Sequence, residues 1–402
     1  METKVFSGTS KGAADIIRNG GLVAVPTETV YGLAGSGLNE KAVSMIYEVK
    51  GRPTLKPLSL MVHGSEAMDA LCLGVPEQAR TLAARFWPGP LTIVLNAKPE
   101  IPSIVLAGGS TVGLRCPDHP LTLELLRDCG LPLAAPSANP SGEESPKDAG
   151  KVLEYFDGKI DAVIDGGRCG LGRESTIISM SQTPYRILRQ GALPAEDIAD
   201  ALVDGMKIIG ITGGTGCGKT TALQELEAMG ALVLDCDAIY HELLESNAEL
   251  LDEIEKRFPN TVCCGKFQRK ALGAIVFADD AALKDLNAIT HKYVGIELQR
   301  RLREFAMSGG TLAAIDAIEL FSSDINRRCF KTVAVLSDKE NRVKRIMERD
   351  GITREYALLR IDAQHDDEYY TEKCDYILYN NADKDSFRND CRQLFKEMFS
   401  NG

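Results

Sequence analysis

The stretch from Gly213 to Thr221 has the residue types and the spacing of a phosphate-binding loop. Gly213, Gly218, Lys219 and Thr220 fit the pattern G-x-x-x-x-G-K-[ST]. The glycines let the backbone turn tightly and point successive N–H groups at one place, and a helix opening near Lys219 adds its positive end to that anion site. Lys219 supplies a charge for the β- and γ-phosphates, and the Thr220 hydroxyl is a candidate ligand for Mg²⁺. The alternative is a glycine-rich turn that only joins a strand to a helix.

The loop needs a strand before it and a helix after it, and the sequence predicts both. Residues 207–211 form a short apolar run, and residues 220–229 read as a helix. A phosphate loop normally follows the first strand of its domain, yet about half of the 402 residues precede it. We therefore predict two domains, the second beginning near Met206.

Carboxylates follow two further predicted strands of this second half. The strand at 231–234 leads into Asp235 and Asp237, which could serve a metal ion and a nucleophilic hydroxyl. The alternative is that Asp237 only caps a helix at 238–244. The strand at 311–315 ends at Asp316, which could reach Mg²⁺ through water as in a Walker B strand. Strands alternating with helices after such a loop predict a doubly wound parallel sheet.

A basic loop stands out in the first half. Lys50, Arg52 and Lys56 fall within seven positions, and Pro53 and Pro57 make this loop stiff and suited to an anion. The loop leads into an apolar strand that we predict to end at His63. The alternatives are a solvated basic surface and a structural histidine.

Other polar groups of this half fall mainly at the ends of predicted strands, where α/β sheets place ligands. Strands are predicted at 22–25, 91–95, 111–115, 160–164 and 185–189, with a helix at 13–19. This pattern predicts a twisted mixed α/β sheet. The strand-end candidates are Thr29, Thr111, Arg115, Ser137, Asn139, Ser145, Ser175 and Arg189.

Composition excludes several classes of protein. The formal net charge of -11 is not that of a dedicated nucleic-acid binder. The 11 cysteines are scattered without a C-x-x-C pair, and the adjacent Cys263 and Cys264 do not form a typical metal knuckle, which favours reduced thiols in a cytoplasmic protein. No long apolar run or signal peptide is evident, so we expect no membrane association.

Residues 10–195 resemble the YrdC-type threonylcarbamoyl-AMP synthases. The motifs that carry the resemblance are residues 26–33, Lys50-Gly51-Arg52-Pro53, Pro57-Leu58, Pro88-Gly89-Pro90, Gly113-Leu114-Arg115, Ser137-Ala138-Asn139, Glu174-Ser175-Thr176 and Leu188-Arg189. The resemblance implies synthesis of threonylcarbamoyl-adenylate from L-threonine, bicarbonate and ATP, which supplies the t6A modification of tRNA. It also implies tRNA or proteins of that modification machinery as further partners.

The same resemblance implies roles for individual residues. Threonine would be held by Thr29, His63, Arg115, the backbone at Ala135, and Ser175. The catalytic cations would be Lys50 and Arg52. The binding site for ATP and carbonate would be lined by Lys50, Arg52, Lys56, Thr111, Ser137, Asn139, Ser145 and Arg189. Such a reaction needs concentrated positive charge and positioning more than a protein nucleophile.

Residues 206–400 resemble dephospho-CoA kinase. The motifs are Ile211-Thr212-Gly213-Gly214 running into Gly218-Lys219-Thr220-Thr221, Leu234-Asp235-Cys236-Asp237, Ala271-Leu272 with Val276-Phe277, Asp316-Ala317-Ile318-Glu319-Leu320, Arg345 with Arg349-Asp350 and Gln364, and residues 374–381. The resemblance implies transfer of the ATP γ-phosphate to the 3′-hydroxyl of dephospho-CoA, with Mg²⁺ at Thr220 and Asp316. Asp237 would accept the hydroxyl proton, and Lys219 and Arg345 would neutralise charge. ATP would be bound by Gly214, Thr215, Gly216, Cys217, Gly218, Lys219, Thr220, Thr221, Arg345 and Asn380, the last near the adenine.

This half departs from the kinase pattern in three places. Thr290-His291-Lys292 replaces Leu-His-Pro, residues 316–322 differ from Asp-x-Pro-Leu-Leu-Phe-Glu, and the lid after Gln364 is acidic where arginine is common. Three hypotheses follow. We predict a bifunctional enzyme with a synthase domain at 1–192, a helical linker at 193–205 and a P-loop kinase domain with a helical lid at 206–402. The alternatives are an active synthase with a non-catalytic nucleotide-binding module, and an RNA-binding first domain that uses the basic loop at 50–56.

Overall fold

The computed structural model of the protein describes residues 2–263, 266–276 and 278–400. Cys264 and Phe277, both named above, lie outside the described residues. The chain divides into two compact units. The first comprises Met1–Gly205 with Met307–Gly309, and the second comprises Met206–Ala306 with Gly310–Gly402.

The first unit is a mixed α/β structure. Its strands are β1 Lys4–Ser7, β2 Val23–Val25, β3 Gly32–Ser36, β4 Ser59–Met61, β5 Cys72–Leu73, β6 Leu91–Ala97, β7 Thr111–Arg115, β8 Leu133–Ala134, β9 Ala162–Asp165, β10 Thr176–Ser179 and β11 Arg186–Arg189. Its helices are α1 Ala13–Arg18, α2 Glu40–Lys50, α3 Ala67–Leu71, α4 Glu77–Phe86, α5 Pro120–Cys129, α6 Ala149–Phe156 and α7 Ala195–Asp204.

These strands form one sheet in the order β1-β9-β2-β3-β8-β4-β7-β6-β10-β11, with β5 paired to β6. The sheet contains both parallel pairs, such as β4 with β7, and antiparallel pairs, such as β6 with β7. Apolar side chains of β2 and β9 pack against α1 and α5, where Ile17, Val25, Leu125 and Ile164 belong to one buried cluster. The predicted mixed α/β sheet is confirmed.

The strand after the basic loop differs from its prediction. We expected it to continue to His63, but β4 ends at Met61 and the His63 side chain is exposed. The ladder stops where both partners of β4 end, since Met61 pairs with Arg115 and Leu133 at the limits of β7 and β8. The strand β3 was not predicted, because its small residues carry no alternating pattern.

The second unit alternates strands and helices. Its strands are β12 Lys207–Thr212, β13 Leu232–Asp235, β14 Val262–Cys263, β15 Lys266–Phe267, β16 Leu312–Asp316, β17 Lys331–Leu336 and β18 Tyr376–Tyr379. Its helices are α8 Lys219–Ala228, α9 Cys236–Ser246, α10 Ala248–Arg257, α11 Arg269–Val276, α12 Asp280–Met307, α13 Lys339–Asp350, α14 Arg354–Asp362, α15 Asp367–Lys373 and α16 Lys384–Ser400, with a 3₁₀ helix at Ile325–Arg328. The last residue of α12, Met307, is grouped with the first unit.

Five of these strands form an all-parallel sheet in the order β13-β16-β12-β17-β18. The central strand β12 is buried, as expected for a parallel strand covered on both faces. Helices α8 and α16 pack against this sheet around Leu226, Phe387 and Phe395. The predicted parallel α/β fold is confirmed.

The cap of α9 differs from the alternative considered for Asp237. Asp235 is the N-cap, and its Oδ1 accepts hydrogen bonds from the N–H groups of Asp237 and Ala238 at 2.9 and 3.0 Å. The helix begins two residues earlier than expected, because Asp235 at the end of β13, and not Asp237, is its N-cap. The Asp235 carboxylate therefore caps the helix, and the Asp237 carboxylate remains available to the predicted site.

Among the described residues, no helix is long and apolar enough to cross a membrane.

Candidate active sites

A cavity of about 180 Å³ opens in the first unit where several central strands end. It lies beside the ends of β4 and β7 and the start of β10. Six residues predicted for the site line it: Arg52, Arg115, Ala135, Ser137, Ser175 and Arg189. Three guanidinium groups around one small cavity make a site suited to anionic ligands.

One wall is fixed by hydrogen bonds to Ser175. Arg189 donates from Nε and Nη2 to the Ser175 carbonyl oxygen at 3.1 and 2.9 Å, and from Nη2 to the Ser175 hydroxyl at 3.2 Å. The hydroxyls of Ser175 and Thr92 lie 2.8 Å apart. Burial lowers the pKa of Arg189, which nevertheless stays charged as arginines do in proteins.

An ion pair with little exposure fixes another part of the cavity lining. Arg115 Nη2 lies 2.7 Å from Glu28 Oε1 and donates to the Thr29 hydroxyl at 2.8 Å. The other carboxylate oxygen of Glu28 accepts the N–H of Asp118 at 3.0 Å. The arginine fork is therefore held in one orientation at the cavity, which is what recognition of a carboxylate requires.

Lys50 lies behind this cavity. Its side chain is 3% exposed, and its Nζ donates to the carbonyl oxygens of Ser137 and Asn139. The N–H of Ser141 donates to the Lys50 carbonyl oxygen at 2.8 Å. Burial, with a smaller contribution from the Arg52 charge, lowers the pKa of Lys50 to about 7. Lys50 therefore holds the 137–141 segment.

In the second unit, the phosphate loop turns through glycines with positive φ. Gly213, Gly216 and Gly218 have φ of 132°, 80° and 100°, values that side chains with a Cβ rarely adopt. Lys219 begins α8, and its Nζ donates to the Gly213 carbonyl oxygen at 3.0 Å. The Thr220 side chain is exposed in the first turn of α8. This is the geometry of an anion site at a helix N-terminus.

Two arginines of α13 and two amides hold the loop from outside. Arg342 donates from Nε to the Thr215 carbonyl oxygen at 3.0 Å and from Nη2 to Gln364 Oε1 at 3.1 Å. Gln364 Oε1 also accepts the N–H of Thr215 at 2.8 Å. Arg345 Nη1 donates to the carbonyl oxygens of Gly216 and Cys217 at 3.2 and 3.3 Å. Asn380 Nδ2 donates to the Cys217 carbonyl oxygen at 2.8 Å.

Three aspartates gather next to Lys219. Register places Asp235 opposite Asp316 on neighbouring strands, and Asp237 lies in the first turn of α9. Lys219 Nζ lies 3.9 Å from Asp316 Oδ1. Burial, with the charges of Asp235 and Asp237, raises the pKa of Asp316 to about 6 despite the opposing effect of Lys219. Burial also raises the pKa of Asp237.

This carboxylate cluster fits a divalent cation. The donor set is hard oxygen, as Mg²⁺ prefers, and a cation would offset the burial and the neighbouring aspartate charges that raise the pKa of Asp316. Across the described residues, no group of three His, Cys, Asp or Glu side chains is arranged to hold a metal ion alone. Mg²⁺ commonly binds through one or two carboxylates together with substrate phosphates, so the fit does not need a protein cage.

A second cavity, of about 240 Å³, adjoins Asp237. It is lined by residues of α9, α12 and the segment after β16, among them Tyr240, His291 and Glu319. Burial lowers the pKa of His291, and the nearby Glu319 charge opposes that shift. The cavity is a natural place for a phosphate acceptor, because Asp237 is the carboxylate between it and the phosphate loop's Lys219.

Comparisons with known proteins match both halves. A family model described as telomere recombination matches residues 15–191, and one described as dephospho-CoA kinase matches residues 207–386. A threonylcarbamoyl-AMP synthase of Pyrococcus abyssi is 48% identical over 186 residues, which is 46% of this chain and 55% of that protein. A threonylcarbamoyl-AMP synthase of Marinobacter nauticus is 33% identical over 169 residues, 42% of this chain and 89% of that protein. The chain belongs to the threonylcarbamoyl-AMP synthase family.

The synthase relatives account for the first half only. The chain spans about half the length of the first curated relatives it matches. A solved dephospho-CoA kinase from Campylobacter jejuni aligns with 48% of this chain and 96% of its own, with 29% sequence identity and a TM-score of 0.36. The two family models and the curated synthase relatives confirm both resemblances read from the sequence.

In the synthase half, several predicted site residues lie outside the cavity lining. Thr29 and Lys50 lie directly behind it through their bonds to Arg115 and Ser137. Asn139 is buried with its amide on the Pro140 and Glu143 carbonyl oxygens. Of the remaining four, Lys56 is exposed and Thr111 pairs with Asn96 on β6. The Ser145 hydroxyl donates a hydrogen bond to Glu174 at 2.7 Å. His63 lines a separate groove with Glu66 and Arg127.

Sequence reasoning gave no role to Glu28, Thr92 or Glu174. Glu174 lines the cavity, and its hydrogen bond from Ser145 holds its pKa below the usual range. Glu28 and Glu174 both lie within motifs noted above. A carboxylate next to residues predicted to bind an anion was the sequence feature that could have identified them. Thr92 lies on the predicted strand at 91–95, but no local pattern indicates that this strand pairs with β10 and so brings its hydroxyl to Ser175.

In the kinase half, the structure brings the predicted residues together around the loop. Residues 213–221, Asp237 and Asp316 surround Lys219, whereas Arg345 and Asn380 contact the outer carbonyl oxygens of the loop. Sequence reasoning did not anticipate that Arg342 and Gln364 would hold Thr215, although Gln364 was noted as part of the family pattern.

Proposed function

We propose that the protein is a bifunctional enzyme with two ATP-dependent activities. The first unit makes threonylcarbamoyl-adenylate from L-threonine, bicarbonate and ATP, and the second phosphorylates the 3′-hydroxyl of dephospho-CoA. The observation that carries the proposal is that one chain holds two complete and different anion sites. One is a strand-end cavity with three arginines, and the other is a glycine loop beside three aspartates.

In the synthase cavity, the protein's role is to position charged reactants. Arg115, oriented by Glu28, presents its guanidinium to the threonine carboxylate, and the Ser175 hydroxyl lines the same cavity. Arg52 and Arg189 stabilise the carbonate and the phosphates as pyrophosphate leaves. Lys50 acts through the 137–141 segment that it holds.

In the kinase site, the loop amides and Lys219 bind the ATP phosphates, and Asp237 accepts the proton of the acceptor hydroxyl as it attacks the γ-phosphorus. We place Mg²⁺ at Thr220 and Asp316, where it would neutralise charge on the phosphate oxygens. Arg342, Arg345 and Asn380 keep the loop amides pointing inward by holding its carbonyl oxygens.

The test measures both activities on the full chain. Pyrophosphate release that depends on threonine and bicarbonate reports the synthase, and ADP formation that depends on dephospho-CoA reports the kinase. We expect Arg52→Ala to abolish only the first and Lys219→Ala only the second. Exposed Arg85→Ala and Lys396→Ala are matched controls.

Either activity can fail separately. Wild-type protein that binds ATP but forms no ADP with dephospho-CoA would reduce the second unit to a nucleotide-binding module. Loss of both activities in a folded Arg52→Ala variant would contradict independent sites. Salt-sensitive tRNA binding without pyrophosphate release would instead favour the RNA-binding reading.

We further propose the domain limits 1–192 and 206–402 with residues 193–205 as linker, and delivery of the adenylate to tRNA-modifying proteins. A cytoplasmic location is supported by the cysteines whose side chains the structure describes, which are all free thiols.

A further inference from the structure

A groove of about 360 Å³ in the first unit has no role in either proposed activity. It lies between α3 and the end of α5, and Val62, His63 and residues 130–132 complete its lining. We call it the α3–α5 groove. Its volume falls within the range of pockets that bind small molecules in proteins.

The floor of the α3–α5 groove is apolar. Leu71 from α3, Leu126 from α5, and Val62 and Leu131 from the connecting segments line it. Such a floor favours an aliphatic group, because the burial of apolar surface is the dominant favourable contribution to most associations. The groove therefore suits a ligand with a hydrocarbon side chain.

Two opposite charges border this floor. Glu66 precedes α3, Arg127 lies in the last turn of α5, and both residues are exposed. Within the part of the chain that the structure describes, neither side chain forms an ion pair or a hydrogen bond. Each charge is thus available to a ligand group of the opposite sign.

A ligand that carries both charges would bridge Glu66 and Arg127. In a free α-amino acid, the carboxylate and the ammonium group are attached to one carbon atom, and the side chain projects away from both. With the carboxylate at Arg127 and the ammonium group at Glu66, an aliphatic side chain would cover the apolar floor.

The α3–α5 groove adjoins the strands that carry the catalytic cavity. Val62 directly follows Met61 of β4, which lines that cavity, and the N–H of Val62 donates to the Arg115 carbonyl oxygen at 2.9 Å. The Cys116 thiol donates to the His63 carbonyl oxygen at 3.2 Å. A ligand in the groove would therefore contact the segment that is hydrogen-bonded to Arg115 and Cys116.

We propose that the α3–α5 groove is an effector site for a free α-amino acid with a branched aliphatic side chain, such as leucine. Arg127 binds its carboxylate, Glu66 binds its ammonium group, and the apolar floor contacts its side chain. The site is distinct from the threonine site of the strand-end cavity. Binding does not depend on the proposed synthase function, whereas the effector role rests on it.

Calorimetric titration of the full chain with L-leucine, at saturating L-threonine, tests the site. We expect L-leucine to bind at least about tenfold more tightly than L-alanine, which leaves the floor uncovered. Arg127→Met and Glu66→Gln should each weaken leucine binding about tenfold, through the loss of one charge-assisted contact. Arg85→Met and Glu48→Gln, which replace exposed charges on α4 and α2, are the matched controls.

Analogues that lack one charge identify each contact. Isopentylamine has no carboxylate, so Glu66→Gln should weaken its binding and Arg127→Met should not. Isocaproate has no ammonium group and should show the reverse. Ala70→Trp, which fills the groove from α3 without removing a charge, should abolish binding of all three ligands. No leucine binding by wild type, displacement of leucine by threonine, or weakening of both analogues by the same charge variant would overturn the proposal.

Kinetics test the effector role. At saturating L-leucine, we expect the KM for threonine in pyrophosphate release to change about fivefold, and Arg127→Met to remove that effect. Leucine binding with an unchanged KM for threonine would overturn the effector role. Leucine binding by a protein that releases no pyrophosphate with threonine would mean that the synthase function fails and the binding site stands.

Discussion

Replacing Gly214 with alanine should disable the kinase site through a steric effect alone. The φ of Gly214 lies outside the left-handed region, so the alanine backbone is not strained there. However, a Cβ at this position would lie 2.8 Å from Arg342 Cζ and 3.0 Å from Gln364 Oε1. Arg342 is 6% exposed and has little room to withdraw.

The magnitude follows from the contacts that Arg342 would lose. It donates to the Thr215 carbonyl oxygen at 3.0 Å and to Gln364 at 3.1 Å. Hydrogen bonds from a charged group contribute about 1.5–3 kcal/mol each, so losing both costs about 3 kcal/mol or more. We expect kcat/KM for ATP in the dephospho-CoA reaction to fall roughly a hundredfold. Synthase activity of the same preparation is the internal control.

A double-mutant cycle decides whether the clash is the cause. Arg342→Ala removes the same hydrogen bonds, so adding Gly214→Ala to it should cost about 0.5 kcal/mol or less. The two substitutions should thus show a coupling of about 3 kcal/mol. Fully additive losses, or a Gly214→Ala variant with wild-type kinetics, would refute the reasoning.

Three further predictions follow from buried charges. Folded Lys50 loses its proton near pH 7, whereas unfolded lysine keeps its proton up to about pH 10.5, so the free energy of unfolding of wild type should rise relative to that of Lys50→Met by up to about 1.4 kcal/mol per pH unit above 7. Urea unfolding followed by the fluorescence of Trp87, the only tryptophan, measures this difference. A difference that does not change with pH would contradict the prediction. Glu28→Ala should lower the free energy of unfolding, measured by the same urea experiment, by about 3 kcal/mol, because it leaves Arg115 buried without its carboxylate partner. An unchanged urea midpoint would rule out that ion pair. Asp237→Asn should lower the kinase kcat by at least about a hundredfold with little effect on the KM for ATP, because it removes the group that accepts the hydroxyl proton. Single-turnover kinetics measure this. A wild-type rate would mean that another group accepts the proton.

The sequence predicted most where one short stretch forms a complete unit of structure. The strand, loop and helix around Lys219 appear as expected because glycines at 213, 216 and 218 and the following helix are local determinants. The parallel sheet followed from the alternation of strands and helices. The placement of Asp316 beside Asp235 agrees with that expectation because parallel strands end at one edge.

Contacts between residues far apart in the chain set the features of the sites that local sequence patterns could not predict. Lys50 was predicted to lie in a basic loop, yet it is the last residue of α2, and its Nζ points inward because the carbonyl oxygens of residues 137 and 139 accept hydrogen bonds from it. His63 follows a strand that stops two residues early, so it faces a different groove. The contacts from Gln364 to Thr215 join positions 149 residues apart, and no local pattern reports such a pair.

The thiol inside the phosphate loop bears on how this protein can be inhibited. Cys217 is 0% exposed and belongs to the apolar cluster with Ile209 and Ile211, and burial raises its pKa. Electrophilic drugs react with accessible thiolates, so this cysteine gives them no point of attachment in the folded state. A covalent inhibitor designed on the motif alone would therefore fail, whereas reversible nucleotide mimics that use the backbone amides would keep their target.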